Sequence, residues 1–162
     1  MIIAFFSGRL YNLSMNSENM VKLLRAKLNE ISIPGEIAAI YVYGSILKGR
    51  LRKDSDVDIA ILPCYDIDDL EKLELVSVIE GYFTAFLKDI GLDREVSILD
   101  MRGRYVSVQL LYKVITEGIL LYEDDPSQRF EFENTVKREY FDFKPYLTYL
   151  RKRKYGDILQ KA

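Results

Sequence analysis

The stretch that decides the fold runs over residues 37–62, IAAIYVYGSILKGRLRKDSDVDIAIL. The apolar run that opens it predicts a buried strand, which breaks at Gly44-Ser45. After a short basic segment, the apolar pattern resumes at Asp56 and predicts a second strand. Its two carboxylates, Asp56 and Asp58, are two residues apart, so they share one face of that strand.

The carboxylate pair of Asp56 and Asp58 predicts a bound cation. Two like charges on one face of an apolar strand are unfavourable unless a positive charge joins them, and hard oxygen ligands suit Mg²⁺. A Gly44-Ser45 turn between a strand and a short helix leaves backbone N–H groups that, with the serine hydroxyl, can hold a phosphate. Either feature alone is common in turns and strand ends without function. The combination, with ten residues between Ser45 and Asp56, predicts a site for a metal ion and a phosphate.

Length and composition bound the class of protein. The chain has 162 residues, of which 49% are hydrophobic and 30% charged. These values predict one globular domain with a packed core. The net charge of −2 gives no reason to expect direct binding to nucleic acid.

The residue types that are missing exclude several chemistries. The sequence contains no histidine and one cysteine, Cys64. Imidazole zinc sites, Ser-His-Asp triads, Cys-His dyads and an intrachain disulfide are therefore excluded. We find neither a signal peptide pattern nor an apolar run long enough to span a bilayer. These features predict a cytoplasmic protein without a membrane partner.

Hydrophobic spacing and turn residues predict the elements along the chain. The predicted strands are 36–43, 56–62, 94–99 and 119–122, and the predicted helices are 17–31, 45–49, 68–87, 105–117 and one that starts at Asp125 or Ser127. Pro145 is expected to interrupt or kink the last helix. This order predicts an α/β (α+β) fold, with helices packed on a small mixed sheet of about four strands.

We expect a single domain over residues 1–162. Its core covers about 18–122, and a helical extension rich in aromatic residues covers 126–162. For residues 1–14 three interpretations stay open: an edge strand, an extension, or upstream sequence before a start at Met15.

The spacing of Gly44, Ser45, Asp56 and Asp58 resembles that of the DNA polymerase β-type nucleotidyltransferase superfamily, in its minimal nucleotidyltransferase (MNT) branch. In that branch a Gly-Ser pair precedes an Asp-X-Asp by ten residues, and Gly49 matches a further glycine of the motif. The resemblance covers roughly residues 18–150. It extends to segments near the end of the domain: Gly118 to Tyr122, Arg129-Phe130-Glu131 and Tyr140-Phe141-Asp142.

The resemblance implies a fold of the polymerase β type and transfer of AMP from ATP to a hydroxyl. It implies two Mg²⁺ ions held by Asp56, Asp58 and a third carboxylate from a later strand. Glu95, in the predicted third strand, is our candidate for a ligand or base, although the family more often has Asp there. Asp100 is the alternative, but it follows the apolar run and resembles a loop residue.

The resemblance also implies a set of nucleotide-binding residues: Gly44, Ser45, Lys48 and Gly49. Backbone N–H groups and the Ser45 hydroxyl would hold the β- and γ-phosphates. Arg50, Arg52 and Lys53 could add charge, and each is also a typical surface residue.

A protein partner is implied as well. Small proteins of this branch are typically paired with a helical HEPN-domain partner, in toxin–antitoxin systems. The implied reaction is AMP transfer to a tyrosine of the HEPN ribonuclease toxin, which makes the chain a type VII-like antitoxin. Two alternatives stay open: a catalytically weak antitoxin module that binds nucleotide or toxin, and an aminoglycoside-type nucleotidyltransferase. C-terminal aromatic residues favour a homodimer or a hetero-oligomer.

Overall fold

A computed structural model of the protein describes residues 2–6, 9–13, 17–48, 56–65 and 67–159. A 3₁₀ helix, Gly44–Lys48, lies between the third and fourth strands. The strands and α-helices, numbered along the chain, are β1 (Ile2–Phe6), β2 (Arg9–Leu13), α1 (Ser17–Leu28), β3 (Ile37–Tyr43), β4 (Val57–Pro63), α2 (Asp69–Asp89), β5 (Val96–Asp100), α3 (Val108–Glu117), β6 (Ile119–Glu123) and α4 (Pro126–Leu159).

A four-stranded mixed sheet, in the order β5-β4-β3-β6, forms the centre of the fold. Strand β3 pairs antiparallel with both β4 and β6, whereas β4 and β5 run parallel. Strands β1 and β2 form a separate two-stranded antiparallel sheet. The predicted α+β fold with a small mixed sheet is thus confirmed.

The two faces of the central sheet carry separate hydrophobic clusters because strand side chains alternate between faces. Helices α1 and α2 supply the first cluster, together with Val57, Ile59 and Ile61 of β4. Helices α3 and α4 supply the second, together with Ala60 and Leu62 of the same strand. Asp58 has the parity of Ala60, so it lies on the face that α3 and α4 cover.

Local signals set the start of α2. The Asp68 carboxylate accepts the N–H groups of Leu70 and Glu71, each at 2.9 Å, and the Glu71 carboxylate accepts the Asp68 N–H at 3.0 Å. This reciprocal capping satisfies donors that the first helical turn leaves free. The predicted helix at 68–87 is therefore present, and it extends to Asp89.

A buried hydrogen-bond network joins α4 to β3. The Tyr41 hydroxyl donates to Glu133 Oε1 at 2.7 Å, and Arg129 Nη1 donates to the same oxygen at 2.8 Å. Arg129 Nε also donates to Glu123. Burial alone would raise the pKa of Glu133, but the hydrogen bonds from Tyr41 and Arg129 outweigh it and lower that pKa. Burial and the bond to Glu133 raise the pKa of Tyr41, so its hydroxyl stays a donor.

Several elements differ from the predicted ones: helix α1 ends at Leu28 instead of residue 31, and α3 begins at Val108 instead of residue 105. Helix α4 continues through Pro145, so the expected interruption is wrong, whereas the alternative, a kink at Pro145, stays a prediction. Proline removes one backbone hydrogen bond, but the side chains around it are exposed, so water can satisfy the freed carbonyl. Strand β5 begins at Val96, so Glu95 precedes it. In the part of the chain that the structure describes, no helix is long and apolar enough to cross a membrane.

Candidate active site

The Asp58 carboxylate packs directly against the backbone of Gly44. Tyr43, the last residue of β3, is paired with Asp58 across the sheet, and Gly44 follows it with a φ of 82°. A Cβ built on Gly44 would overlap Asp58 Oδ2 and lie 3.1 Å from Asp58 Cγ. Only glycine combines this backbone conformation with so close an approach.

The turn after Gly44 is held in place by a buried side chain. Ile46 of this 3₁₀ helix is fully buried in the cluster under α1 and α2. Ser45 is half-buried and Lys48 is exposed, so both side chains are accessible on the turn that begins at Gly44. The structure thus brings three of the predicted nucleotide-binding residues to one turn. The fourth, Gly49, lies outside the described residues, as does the basic segment 50–55.

The two motif carboxylates form an electrostatically strained pair. Asp56 is exposed just before β4, and Asp58 is half-buried on that strand. Burial, followed by the negative charge of Asp56, raises the pKa of Asp58, whereas the positive charge of Lys113 opposes that rise. A divalent cation would relieve this repulsion, and carboxylate oxygens are ligands that Mg²⁺ accepts. The donor set therefore fits a magnesium ion.

The backbone of Glu95, the third predicted carboxylate residue, lies next to that of Asp56. The Glu95 carbonyl accepts the Val57 N–H at 2.9 Å. One residue further, Ser97 of β5 is the direct neighbour of Asp58 in the parallel register. Among the described residues, however, no three His, Cys, Asp or Glu side chains form a group that could hold a metal ion. The role of Glu95 as the third ligand stays a prediction.

The alternative, Asp100, lies at the other end of the sheet. It pairs with Ile61 and lies three positions, roughly 10 Å of strand, beyond Ser97. Its carboxylate accepts the Arg102 N–H at 2.8 Å and so stabilises the turn after β5. This placement favours Glu95 over Asp100 as a partner of Asp56.

Three side chains that lie outside the sequence motifs are brought to the site by the fold. Tyr43, Lys113 and Glu117 line a cavity of about 170 Å³, together with Gly44, Leu47 and Lys48. Burial, followed by the charge of Asp58, raises the pKa of Tyr43. For Lys113 and Glu117 the sequence holds no signal, since they are ordinary charged positions of an amphipathic helix.

A family model described as polymerase beta, nucleotidyltransferase, matches residues 26–127, which include this whole site. The chain belongs to the polymerase β-type nucleotidyltransferase family. The enzyme class and the family predicted from the Gly-Ser and Asp-X-Asp motifs are thus confirmed.

Known members of this nucleotidyltransferase family show further similarity. Protein adenylyltransferase MntA of Shewanella oneidensis is 28% identical over 108 residues, which are 67% of this chain and 66% of that protein. A toxin–antitoxin structure with AMP-PNP is 25% identical, with a TM-score of 0.50 over 89% of this chain and 98% of that one. A MntA–HpeT toxin–antitoxin mutant structure is also 25% identical, with a TM-score of 0.51 over 90% and 99%.

Proposed function

We propose that this protein transfers AMP from ATP to a hydroxyl group in a Mg²⁺-dependent reaction. The observation that carries the proposal is the contact between the Asp58 carboxylate and the Gly44 backbone. It brings the Asp58 carboxylate beside the turn that begins at Gly44. N–H groups at the start of a helical turn can bind phosphate oxygens, and a carboxylate can hold the metal ion of a metal-bound triphosphate. The similarity to protein adenylyltransferase MntA supports AMP as the transferred group.

The chain's own residues can be given roles in this reaction. Asp56 and Asp58 would hold Mg²⁺, whose charge stabilises the phosphate oxygens during displacement. The Gly44-Ser45 backbone, the Ser45 hydroxyl and Lys48 would bind the β- and γ-phosphates. The acceptor oxygen attacks the α-phosphorus, the bond to the bridging oxygen of the β-phosphate breaks, and pyrophosphate leaves.

Glu95 is our candidate for the group that receives the acceptor proton or adds a third metal ligand. Its backbone lies next to Asp56, because its carbonyl accepts the N–H of Val57. Two bound Mg²⁺ ions require this third carboxylate, since Asp56 and Asp58 alone provide few anionic ligands for two ions.

The acceptor that we propose is a tyrosine of a HEPN ribonuclease toxin, which makes this chain a type VII-like antitoxin. The MNT resemblance implies such a partner, and two similar structures are toxin–antitoxin complexes. Helix α4 also exposes large aromatic side chains of the kind that protein partners cover. They are Phe130, Phe141, Phe143, Tyr146 and Tyr149.

A second candidate function is toxin neutralisation by binding without catalysis. The observation that favours it is the lack of a three-residue metal-holding group among the described residues. An aminoglycoside-type enzyme, the further alternative, would instead modify a small acceptor.

Label transfer from ATP separates these functions. The protein is incubated with ATP labelled at the α-phosphate, with Mg²⁺, and with either a HEPN toxin as the proposed partner or an aminoglycoside. We expect label on the HEPN protein and none on the aminoglycoside, and we expect EDTA to abolish the transfer. Label on the aminoglycoside alone would contradict the proposed acceptor, and no labelled product would favour the binding module.

A further inference from the structure

We propose that Lys113 of α3 binds the terminal phosphates of the nucleoside triphosphate, from the side opposite the Gly44–Lys48 turn. The inference rests on the proposed nucleotidyl transfer. It adds to the site a residue that lies more than 50 positions after Asp58 and outside both sequence motifs.

The packing of α3 fixes Lys113 beside the motif residues. Val114, the next residue, is fully buried in the cluster that covers the Asp58 face of the sheet. Just after the helix, Gly118 packs against β3, and a Cβ there would lie 3.1 Å from the Val42 carbonyl oxygen. The last turns of α3 are thereby held next to the end of β3, where the Gly44 turn begins.

The cavity between α3 and the turn suits a phosphate chain. At about 170 Å³ it is smaller than the roughly 300–1,000 Å³ of pockets that enclose whole small-molecule ligands. Part of a nucleotide can therefore enter while the base stays outside. Lys48 lines the cavity from the turn and Lys113 lines it from α3, so two cations approach it from different elements. Such an arrangement matches an anionic group with several oxygens.

Lys113 is available to an anionic ligand. It is exposed, and it forms no salt bridge within 4.0 Å to any residue that the structure describes. It lines the cavity together with Tyr43 and Gly44, and Tyr43 is the residue paired with Asp58 across the sheet. Glu117, one helical turn later, lines the same cavity without pairing with Lys113. The negative charge of Glu117 would oppose phosphate binding. Neutralising Glu117 and neutralising Lys113 should therefore change the affinity for phosphate in opposite directions.

Binding of two nucleotides tests the role of Lys113. The affinities of the full chain for AMP-PNP and for AMP are measured by calorimetry with Mg²⁺, for the wild type and for Lys113→Gln, Lys113→Arg and Glu117→Gln. We expect Lys113→Gln to weaken AMP-PNP binding roughly tenfold or more, the effect of losing one charge-assisted hydrogen bond, and to leave AMP binding unchanged. Lys113→Arg should retain most of the affinity, and Glu117→Gln should bind AMP-PNP at least as tightly as the wild type.

Lys152→Gln is the matched control, because it removes an exposed lysine from the C-terminal part of α4 that does not line the cavity. It should bind both nucleotides as the wild type does, and thermal unfolding should show that every variant is folded. Equal AMP-PNP affinity for wild type and Lys113→Gln would overturn the inference alone. Equal weakening of AMP and AMP-PNP would also overturn it, since Lys113 would then act on the α-phosphate or the metal ion. A wild type that binds no AMP-PNP would instead overturn the proposed function itself.

Discussion

Gly44 and Asp58 are in van der Waals contact across neighbouring strands, and the Asp58 carboxylate occupies the space that any side chain at Gly44 would need. The contact links the two halves of the sequence motif. It also explains why their spacing matters, since β3 must end opposite Asp58 for the turn to reach the carboxylate pair.

Gly44→Ala should therefore lower the free energy of unfolding by more than the positive φ of Gly44 alone would cause. Gly91 has a similar φ of 75°, but a Cβ added to it would meet nothing within 4 Å, so Gly91→Ala is the matched control. We expect Gly91→Ala to lower the free energy of unfolding by about 1–2 kcal/mol, the cost of a left-handed alanine. Gly44→Ala should lose that amount and a further ~1–3 kcal/mol, because Asp58 must move. If urea denaturation showed the same loss of unfolding free energy for Gly44→Ala and Gly91→Ala, the contact between Gly44 and Asp58 would be contradicted.

Asp58→Asn should affect stability in opposite directions with and without magnesium. Burial and the charge of Asp56 raise the pKa of Asp58, so its ionised form destabilises the metal-free fold at neutral pH. In EDTA we expect Asp58→Asn to melt at a higher temperature than the wild type. Added Mg²⁺ should raise the melting temperature of the wild type and not that of the variant. A variant that responds to Mg²⁺ as the wild type does would contradict the assignment of Asp58 as a ligand.

Glu133 should make the protein sensitive to acid. Its pKa is lowered from the ordinary value of 4.5, so below that value the unfolded chain binds more protons than the native one. The stabilisation from this carboxylate is present above pH 4.5 and is lost as the pH falls through its folded-state pKa.

Glu133→Gln tests this effect. The variant should be about 1–3 kcal/mol less stable than the wild type at pH 7, because it weakens the bonds to Tyr41 and Arg129. The difference between the two proteins should shrink as the pH falls below 4.5. Denaturation curves with a difference that stays constant down to about pH 3 would show that Glu133 is not the responsible group.

Substitutions of Glu95 and Asp100 should separate a role in the reaction from a structural role. Glu95→Gln should reduce AMP transfer at least tenfold and leave AMP-PNP binding intact, since a base or third ligand acts mainly in the chemical step. Asp100→Asn should preserve transfer and lower stability by about 1 kcal/mol, because the carboxylate bonds to the Arg102 N–H. The reverse pattern would assign the third carboxylate to Asp100.

Much of the fold could be predicted because its signals are local. The apolar runs of β3 and β4 and the capping residue Asp68 each act on their own neighbourhood. The expected interruption of the last helix at Pro145 does not occur, because a proline in an exposed helix costs one hydrogen bond, which the adjoining turns of α4 tolerate.

The candidate site could be predicted only in part. Gly44, Ser45, Asp56 and Asp58 follow from spacing along two adjacent strands. The neighbours of Asp56 and Asp58 on β5 depend on the β4–β5 register, which no local pattern reveals. Lys113 depends on how α3 packs against the sheet, and its sequence context is that of any exposed helical lysine.

The most direct test of AMP transfer is the intact mass of the proposed partner, a HEPN toxin, after co-expression with the wild type or with the Asp56→Asn, Asp58→Asn double variant. We predict a mass increase of one or more AMP groups with the wild type, on tyrosine, and none with the double variant. The HEPN protein should also lose its ribonuclease activity only when it carries AMP. An unmodified HEPN protein that both forms of this chain neutralise equally would contradict the account.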